Sequence, residues 1–388
     1  MARRGAAWRG GNGRRMARDE PILMQGNAAA AEAAVRAGCS FFAGYPITPS
    51  SEIMARIAQL LRARGGTFIQ MEDEIASICA VIGASWSGAK AMTATSGPGF
   101  SLMQEGLGYA YFTETPLVLI DVQRAGPATG QATHVSQGDV MQYRYGSHGD
   151  VFPIALAPWS VQETYDLTAR CFALSERFRV PVFLATDEAI GHLREDVRLH
   201  DDLEVADRVR SNDGTPFGSD LPDGVPPMPA FGDGASLLVT GSTHDARGFR
   251  KVDDPAAHDA LVTRLMRKVE DHADEIIELE ERWLDDAEIV LFAYGVSARS
   301  ALAAVRRLRE RGVRAGLLRT KTIWPFPARA LADLPPSVRA LVVPELNKGM
   351  LAGVARGCTA VPVHPVTQTD GHIIAPGRLV GFVEELSR

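Results

Sequence analysis

Three consecutive carboxylates, Glu72, Asp73 and Glu74, stand at the start of a long run of apolar and small residues. Acidic side chains are common in the first turn of a helix because they interact favourably with its dipole, and this alone could explain all three. The run that follows is apolar or small on nearly every helical face, so we expect the helix to be buried. A carboxylate at a buried helix start needs a partner. One of the three could therefore be held in an apolar pocket for chemistry.

A predicted strand, turn and helix follow, with the sequence TATSGPGF at their centre. Gly97 and Gly99 allow the backbone to approach a ligand closely, and the start of the next helix offers free N–H groups. The turn formed by Ser96, Gly97, Pro98 and Gly99 is therefore a candidate binding element beside the acidic helix start.

Two further residues lie at the ends of predicted elements. Arg124 follows the predicted strand PLVLIDVQ at the carboxyl edge of the sheet, where α/β proteins place ligands. Thr48 is predicted to be the N-cap of the helix TPSSEIMARIAQLLRARGG, with Pro49 at the first helical position. The alternatives are an exposed arginine at a strand end and a threonine that only caps a helix.

The elements that must position these residues alternate between strands and helices from Pro21 onward, which indicates a parallel sheet covered on both faces. The chain has 388 residues, too long for one compact core. We expect a parallel-sheet domain at 21–200 and a Gly/Pro-rich connector at 201–285. The connector contains the amphipathic helix DPAAHDALVTRLMRKVEDHADEIIELEERWL. A smaller α/β domain is expected at 286–388.

The composition limits the classes of function. A formal net charge of −6 gives no reason to expect nucleic acid as a partner, and no apolar stretch is long enough for a membrane span. The four cysteines have no CxxC spacing, which favours a reducing, cytoplasmic compartment and argues against an iron–sulfur cluster in this chain. Residues 1–20 are rich in Arg and Gly and are predicted to be a disordered basic arm, or a segment before a true start at Met16. A basic arm that docks a partner is the alternative.

Glutamate followed by small and apolar residues up to Gly83, and then TSGPG, resembles the pyrimidine-binding domain of thiamine diphosphate enzymes. The segments YPITPSS and LIDVQRAGPATGQATHVSQGDVMQYRYGSHGD resemble the alpha subunit of the 2-oxoacid:ferredoxin oxidoreductase family. The resemblance implies that Glu74 bonds N1′ of the aminopyrimidine. This favours the imino tautomer that removes the thiazolium proton. It also implies that Thr48 and Arg124 bind the substrate carboxylate, and it leaves His134 and His148 as candidates for the pocket wall.

The second half of the cofactor site is missing from the sequence. In this family the diphosphate is held by a GDG sequence followed by an asparagine that ligates Mg²⁺. The GDG at 232–234 does not fit this pattern, because the next asparagine is Asn347, much too far along the chain. The resemblance therefore implies that the diphosphate, Mg²⁺ and a [4Fe-4S] cluster belong to a partner beta subunit. The C-terminal unit resembles a transketolase C-terminal domain, in which we expect Glu345 to be structural.

The expected fold class is α/β: a parallel-sheet thiamine diphosphate pyrimidine-binding domain followed by a smaller transketolase C-terminal-like domain. The expected function is the coenzyme A-dependent oxidative decarboxylation of 2-oxoglutarate to succinyl-CoA, with electrons passed to ferredoxin. The expected assembly is an (αβ)₂ or larger heteromer, which could include a gamma-type subunit. RAGPATG is closer to the 2-oxoglutarate and branched-chain types than to the pyruvate type. The alternatives are a branched-chain 2-oxo acid enzyme, a non-oxidative thiamine decarboxylase or synthase, and a scaffolding paralogue.

Overall fold

The structure is a computed structural model, and it describes residues 20–200, 203, 206–211 and 213–387. Of the predicted basic arm, residues 1–20, only Glu20 lies within the described residues. The alternation of strands and helices expected from the sequence is confirmed from residue 22 onward.

The strands of the first domain are β1 (Ile22–Gln25), β2 (Phe41–Gly44), β3 (Thr67–Gln70), β4 (Ala91–Thr95), β5 (Leu117–Ala125), β6 (Gln131–Val135), β7 (Ile154–Leu156), β8 (Pro181–Asp187) and β9 (Arg194–Val197). Its helices are α1 (Gly26–Arg36), α2 (Ser51–Arg64), α3 (Glu74–Trp86), α4 (Gly97–Leu102), α5 (Gln104–Phe112), α6 (Gln142–Tyr145), α7 (Val161–Phe178) and α8 (Glu188–His192).

A parallel sheet in the order β7-β8-β5-β4-β2-β3 forms the centre of this domain. Its central strand β5 is buried along its whole length, as expected for a strand covered on both faces. Because β3, β2, β4 and β5 are neighbours and parallel, the segments that follow them meet at one edge of the sheet. These four segments carry the residues that the sequence selected.

Two predicted helix starts differ from the structure. Helix α2 begins at Ser51, so Thr48 is not its N-cap and Pro49 is not its first residue. A turn precedes the helix instead, closed by a hydrogen bond in which the Ser50 N–H donates to the Ile47 carbonyl at 2.9 Å. The SGPG segment is not only a turn, because α4 already begins at Gly97 and the chain bends at Met103 before α5.

After the first domain come helices α9 (Pro255–Glu270) and α10 (Ala273–Ile276) and strands β10 (Leu279–Arg282), β11 (Ile289–Ala293), β12 (Ala315–Thr320), β13 (Thr322–Trp324), β14 (Ala340–Glu345) and β15 (Val363–Thr367). Helices α11 (Gly295–Glu310), α12 (Ala328–Ala332), α13 (Met350–Ala355) and α14 (Pro376–Leu386) complete the described elements.

The second domain is built on a sheet in the order β10-β12-β11-β14-β15, in which only β10 runs antiparallel to its neighbour. The single long amphipathic helix predicted for residues 254–284 was wrong. It ends at Glu270, and its last part forms β10, whose backbone groups pair with β12. Strand β13 joins the edge of the first sheet beside β7, so the two domains share backbone hydrogen bonds.

The segment between the domains packs closely on the first one. Phe217 and Met228 belong to the same hydrophobic core as Trp86. The buried Arg208 pairs with the buried Glu176 through hydrogen bonds of 2.6 and 2.7 Å. Among the described residues, every helix is either too short or too polar to cross a bilayer.

Glu114 is fully buried and anchors α9 to the first domain. Its carboxylate accepts hydrogen bonds from Arg264 at 2.6 and 2.8 Å and from the Lys268 ammonium at 2.9 Å. Burial works to raise the pKa of Glu114, but the attraction of Lys268 and Arg264 outweighs it and holds the pKa well below its usual range. The stabilisation that this shift represents is therefore present at neutral pH and is lost in acid, as pH falls through the lowered pKa.

Glu114→Gln is expected to lower the free energy of unfolding by about 3–5 kcal/mol, because it leaves two buried cations without their anion. Denaturant unfolding of the wild-type chain and the variant measures this difference. Glu270→Gln, an exposed change on the same helix, is the matched control and should stay within about 0.5 kcal/mol of the wild type. Equal stabilities for the two variants would contradict the anchoring role.

Candidate functional site

The three consecutive carboxylates differ in their exposure to solvent and in their hydrogen bonds. Glu72 is exposed, and Asp73 caps α3 by accepting a hydrogen bond from the Ala76 N–H at 2.8 Å. Glu74 is the first residue of α3 and is only 4% exposed. Burial raises the pKa of Glu74, with a smaller contribution from Asp73 and an opposing one from Arg124. Glu74 is thus the one of the three acids that is buried and needs a partner.

Gly99 provides the space for the Glu74 carboxylate. A Cβ atom at Gly99 would lie 2.3 Å from Oε1 of Glu74 and 2.2 Å from Oγ1 of Thr95. The hydroxyl oxygens of Thr95 and Ser96 are buried and have no hydrogen-bond partner among the described residues. The site therefore contains a buried acid and two buried hydroxyls without partners, beside the glycines of the SGPG segment. Such polar groups suit the edge of a heteroaromatic ring that carries hydrogen-bonding nitrogens.

Gly99→Ala is expected to weaken binding of thiamine diphosphate to the assembled enzyme by roughly tenfold or more, because the added methyl group displaces the carboxylate and its charged hydrogen bond. Titration of the cofactor, followed by the quenching of tryptophan fluorescence, measures the dissociation constant. Gly377→Ala adds a methyl group to an exposed residue of α14, where no atom lies within 4 Å of the new carbon, and is the matched control. Equal affinities for both variants would show that the Gly99 contact is not needed.

Arg124 and Thr48 are brought together at the same edge of the sheet. The Arg124 guanidinium donates a 2.7 Å hydrogen bond to the Thr48 carbonyl, while the Thr48 residue is exposed. Arg124 is only 7% exposed, its Nε has no hydrogen-bond partner, and it forms no ion pair with any carboxylate in the part of the chain that the structure describes. A buried guanidinium without an anion is costly. Arg124 is therefore suited to bind an anionic ligand, and Thr48 lies next to it.

A pair of aspartates lies behind the SGPG segment, and the sequence analysis did not select it. Asp121 is fully buried in β5 and accepts a 2.7 Å hydrogen bond from the Tyr143 hydroxyl, and Asp139 is close enough for its charge to affect it. Burial, assisted by Asp139, raises the pKa of Asp121 well above its usual range, and burial raises the pKa of Asp139 to about 6. A nearby carboxylate of like charge disfavours the ionised form of Asp121. An aspartate inside the apolar run LVLIDV was the signal available in the sequence.

A cavity of about 700 Å³ opens beside these residues, between the two domains. Its wall includes Gly97, Pro98, Arg124 and Asp139 from the first domain and the loop after β14 from the second. The cavity brings the predicted turn and the predicted anion-binding arginine into one space. The volume of the cavity exceeds that of a small organic acid, so a small acid alone would not fill it.

Gln137 holds this cavity together and was also missed. Its side chain donates to the Tyr294 carbonyl at 3.1 Å and accepts from Ser297 at 2.7 Å and from the Leu346 N–H at 3.1 Å. Its own carbonyl accepts a 2.8 Å hydrogen bond from the side chain of Asn347. All of these partners lie in the second domain, so Gln137 fixes the wall of the cavity across the domain boundary. No local sequence pattern marks such a role.

The two histidines considered for the pocket wall lie elsewhere. His134 is hydrogen-bonded to the Gly371 carbonyl at 3.3 Å and packs against His372. His148 lines a different cavity of about 420 Å³ beside α5 and α9. Glu345 accepts hydrogen bonds from the Leu351 and Ala352 N–H groups at 2.8 and 2.9 Å, so it caps the start of α13.

The GDG sequence lies in an exposed turn of the connector, where Asp233 forms an ion pair with Arg210 at 3.5 Å. Within the described ranges, no group of histidine, cysteine or acidic residues has the geometry of a metal site. The residues that are present thus suit the aminopyrimidine half of thiamine diphosphate.

Comparison with known families gives two matches. Residues 32–264 match the family described as pyruvate flavodoxin/ferredoxin oxidoreductase, thiamine diphosphate-binding. Residues 287–379 match the pyruvate:ferredoxin oxidoreductase core domain II. Together these two matches cover most of the described chain.

The chain is 49% identical over 373 residues to the 2-oxoglutarate synthase subunit KorA of Methanothermobacter marburgensis, covering 94% of this chain and 98% of the relative. It is 34% identical over 361 residues to the ketoisovalerate oxidoreductase subunit VorB of Methanothermobacter thermautotrophicus, covering 91% and 94% of the two chains. The similarity to the 2-oxoglutarate enzyme is thus the greater of the two.

Among solved structures, the chain is similar to the 2-oxoglutarate:ferredoxin oxidoreductase from Magnetococcus marinus, determined with 2-oxoglutarate, coenzyme A and succinyl-CoA bound. The TM-score is 0.91 at 31% sequence identity, and the match covers 95% of this chain and 66% of that chain. The fold therefore agrees over almost the whole of this chain, which spans about two thirds of that protein.

Proposed function

Because the chain belongs to the 2-oxoacid:ferredoxin oxidoreductase family, we propose that it is the alpha-type subunit of an enzyme that oxidatively decarboxylates 2-oxoglutarate. The products are succinyl-CoA and CO₂, and the electrons pass to ferredoxin. The observation that carries this proposal is the buried Arg124, which forms no ion pair within the described residues and faces the same cavity as the SGPG segment.

Different residues of this chain bind the cofactor and the substrate in this proposal. Glu74 holds one edge of the aminopyrimidine through a charge-assisted hydrogen bond at N1′, and Ser96, Gly97, Pro98 and Gly99 shape the space around it. Arg124 and Thr48 hold the carboxylate next to the reacting carbonyl. When bound, thiamine diphosphate supplies the carbon nucleophile and the electron sink for decarboxylation.

A second subunit is needed to complete this site. The prediction that α3 is buried on nearly every face was wrong for the chain by itself, because no described element covers one side of the helix. Ile75 is 50% exposed on that side, Cys79 is exposed, and Leu102 of α4 is 48% exposed nearby. Ile75 directly follows Glu74, so this exposed apolar surface begins beside the buried acid. We infer that a beta subunit covers them and brings the diphosphate site, Mg²⁺ and the [4Fe-4S] cluster.

The wider assembly follows from this division. We propose an (αβ)₂ or larger heteromer, in which a gamma-type subunit or domain can take part and ferredoxin is the electron acceptor. All four cysteines are free thiols, which fits the reducing cytoplasm. We also propose that the chain divides at 21–200, 201–285 and 286–388, with the middle segment packed on the first domain.

A branched-chain 2-oxo acid is the second candidate substrate, since the relative that acts on ketoisovalerate is 34% identical. The 49% identity to a 2-oxoglutarate synthase subunit favours the dicarboxylic acid. Retention of Glu74, Thr48 and Arg124 together is unexpected for a scaffolding paralogue.

The test is to assay the purified chain alone and after co-expression with its beta partner, with thiamine diphosphate, Mg²⁺, coenzyme A and ferredoxin supplied. We expect no turnover and poor cofactor binding from the chain alone. The brown complex should reduce ferredoxin, and 2-oxoglutarate should be preferred in a panel of 2-oxo acids. Activity of the isolated chain, or a complex that is inactive toward every 2-oxo acid, would overturn the proposal.

A further inference from the structure

A second cation faces the cavity that contains Arg124. Of the described residues that line this cavity, two are basic: Arg124 from the first domain and Lys348 from the second. Lys348 lies in the loop between β14 and α13, and its side chain is exposed. In the part of the chain that the structure describes, its ammonium has neither an ion pair nor a hydrogen bond. Neither of these two cations forms an ion pair with a carboxylate among the described residues.

The backbone on both sides of Lys348 is held rigidly. The buried Asn347 side chain donates a 2.8 Å hydrogen bond to the Gln137 carbonyl and accepts from the N–H groups of Gly349 and Met350 at 2.8 and 2.9 Å. Gly349 has a φ of 90°, a left-handed conformation that favours glycine at this position. Binding an anion therefore requires ordering of the Lys348 side chain only, not of the loop.

Asp139 is the acidic residue of the same wall and belongs to the first domain. Its carboxyl group is close enough to Asp121 and Arg124 to be affected by their charges, and Oδ2 of Asp139 lies 3.7 Å from the position that a Cβ of Gly97 would take. It therefore belongs to the part of the wall formed by the SGPG segment. It leaves Lys348 without a carboxylate partner.

We propose that Lys348 binds the distal carboxylate of a 2-oxo dicarboxylic acid whose other carboxylate is held by Arg124. This inference rests on the proposed function and deepens it, because it names the residue that selects a dicarboxylic over a monocarboxylic substrate. Two carboxylates in one cavity require two cations, and a monocarboxylic acid leaves Lys348 unused. The phosphates of coenzyme A are the other anions of the reaction. The carboxylate is favoured because Lys348 shares its cavity with Arg124.

The experiment uses the reconstituted complex with Lys348→Met, which removes the charge and keeps the length of the side chain. KM for 2-oxoglutarate should rise about tenfold or more, the effect of losing one charge-assisted hydrogen bond. The value of kcat/KM for 2-oxobutanoate should stay within about twofold, since that acid has no distal carboxylate. Inhibition by glutarate, which cannot react, should weaken in parallel with the KM effect. Lys348→Arg should retain most of the preference.

Lys251→Met is the matched control, because Lys251 is an exposed lysine of the connector whose nearest acid is Asp245 at 3.8 Å. This variant should leave all constants unchanged. Equal losses toward 2-oxoglutarate and 2-oxobutanoate in Lys348→Met would overturn the inference. A rise confined to KM for coenzyme A would also overturn it, and would assign Lys348 to the phosphates. Failure of the proposed function is a separate result, namely a wild-type complex that does not turn over 2-oxoglutarate.

Discussion

Glu74→Gln is expected to slow proton exchange at C2 of bound thiamine diphosphate by roughly 10- to 150-fold, while the complex still assembles. The amide is nearly isosteric with the carboxylate but carries no charge, and the lost charge-assisted hydrogen bond is worth about 1.5–3 kcal/mol, where 1.4 kcal/mol is tenfold. Exchange into heavy water, followed by NMR after acid quenching, measures the rate directly and needs no substrate. Turnover of every 2-oxo acid should fall by a similar factor.

The melting temperature provides a control for folding. Burial raises the pKa of Glu74, so the ionised side chain costs folding free energy in the absence of the cofactor, and Gln should not lower the melting temperature. Glu72→Gln alters an exposed acid two residues earlier and should leave the exchange rate unchanged. An unchanged rate in Glu74→Gln would reduce Glu74 to an ordinary helix-start acid.

Arg124→Ala is expected to lower kcat/KM for all 2-oxo acids by about two to three orders of magnitude. Removal of one partner of a buried, hydrogen-bonded charge pair costs about 2–5 kcal/mol. Exchange at C2 without substrate should stay near normal, which separates Arg124 from Glu74. Steady-state assays with 2-oxoglutarate and 2-oxobutanoate measure the effect, and the two acids should be affected alike because both have the carboxylate next to the carbonyl.

Two milder substitutions should have smaller effects on kcat/KM than Arg124→Ala. Arg124→Lys should restore only part of the activity, because a point charge cannot reproduce the two-pronged guanidinium. Thr48→Val should lower kcat/KM by at most about tenfold, since it removes a neutral hydrogen bond worth about 0.5–1.5 kcal/mol. If Arg124→Ala lost only 2-oxoglutarate and kept monocarboxylic acids, Arg124 would bind the distal carboxylate. Lys348 would then have to take the proximal one.

The local sequence determined the parts of the site that short-range chemistry controls. Gly99 was predicted from its place in SGPG, and the structure shows the Glu74 carboxylate where a Cβ would otherwise lie. The choice of Glu74 over Glu72 and Asp73 needed the resemblance, because all three acids are equally compatible with a helix start. The order of strands and helices, and hence the parallel sheet, followed from apolar runs and their spacing.

The predicted helix boundaries were wrong where a competing local hydrogen bond, or pairing with a distant strand, determined the backbone conformation. Thr48 has the residue type of an N-cap, but the turn that ends with the Ser50 N–H bonded to the Ile47 carbonyl delays the helix to Ser51. The residues after Asp271 have a helical composition, but four of them pair with β12 instead. Tertiary pairing satisfied their backbone groups better than a solvated extension of the helix could.

The sequence by itself determined the family and the buried helix start next to the SGPG segment, because these depend on residue types at short spacing. Only the tertiary structure decided that Arg124 is buried with no ion pair among the described residues, that Asp121 and Asp139 are buried near each other, and that Gln137 fixes the loop that carries Lys348 beside the same cavity. These features join residues up to 210 positions apart. Their energies come from burial and from hydrogen bonds across domains, and no local pattern in the chain encodes either.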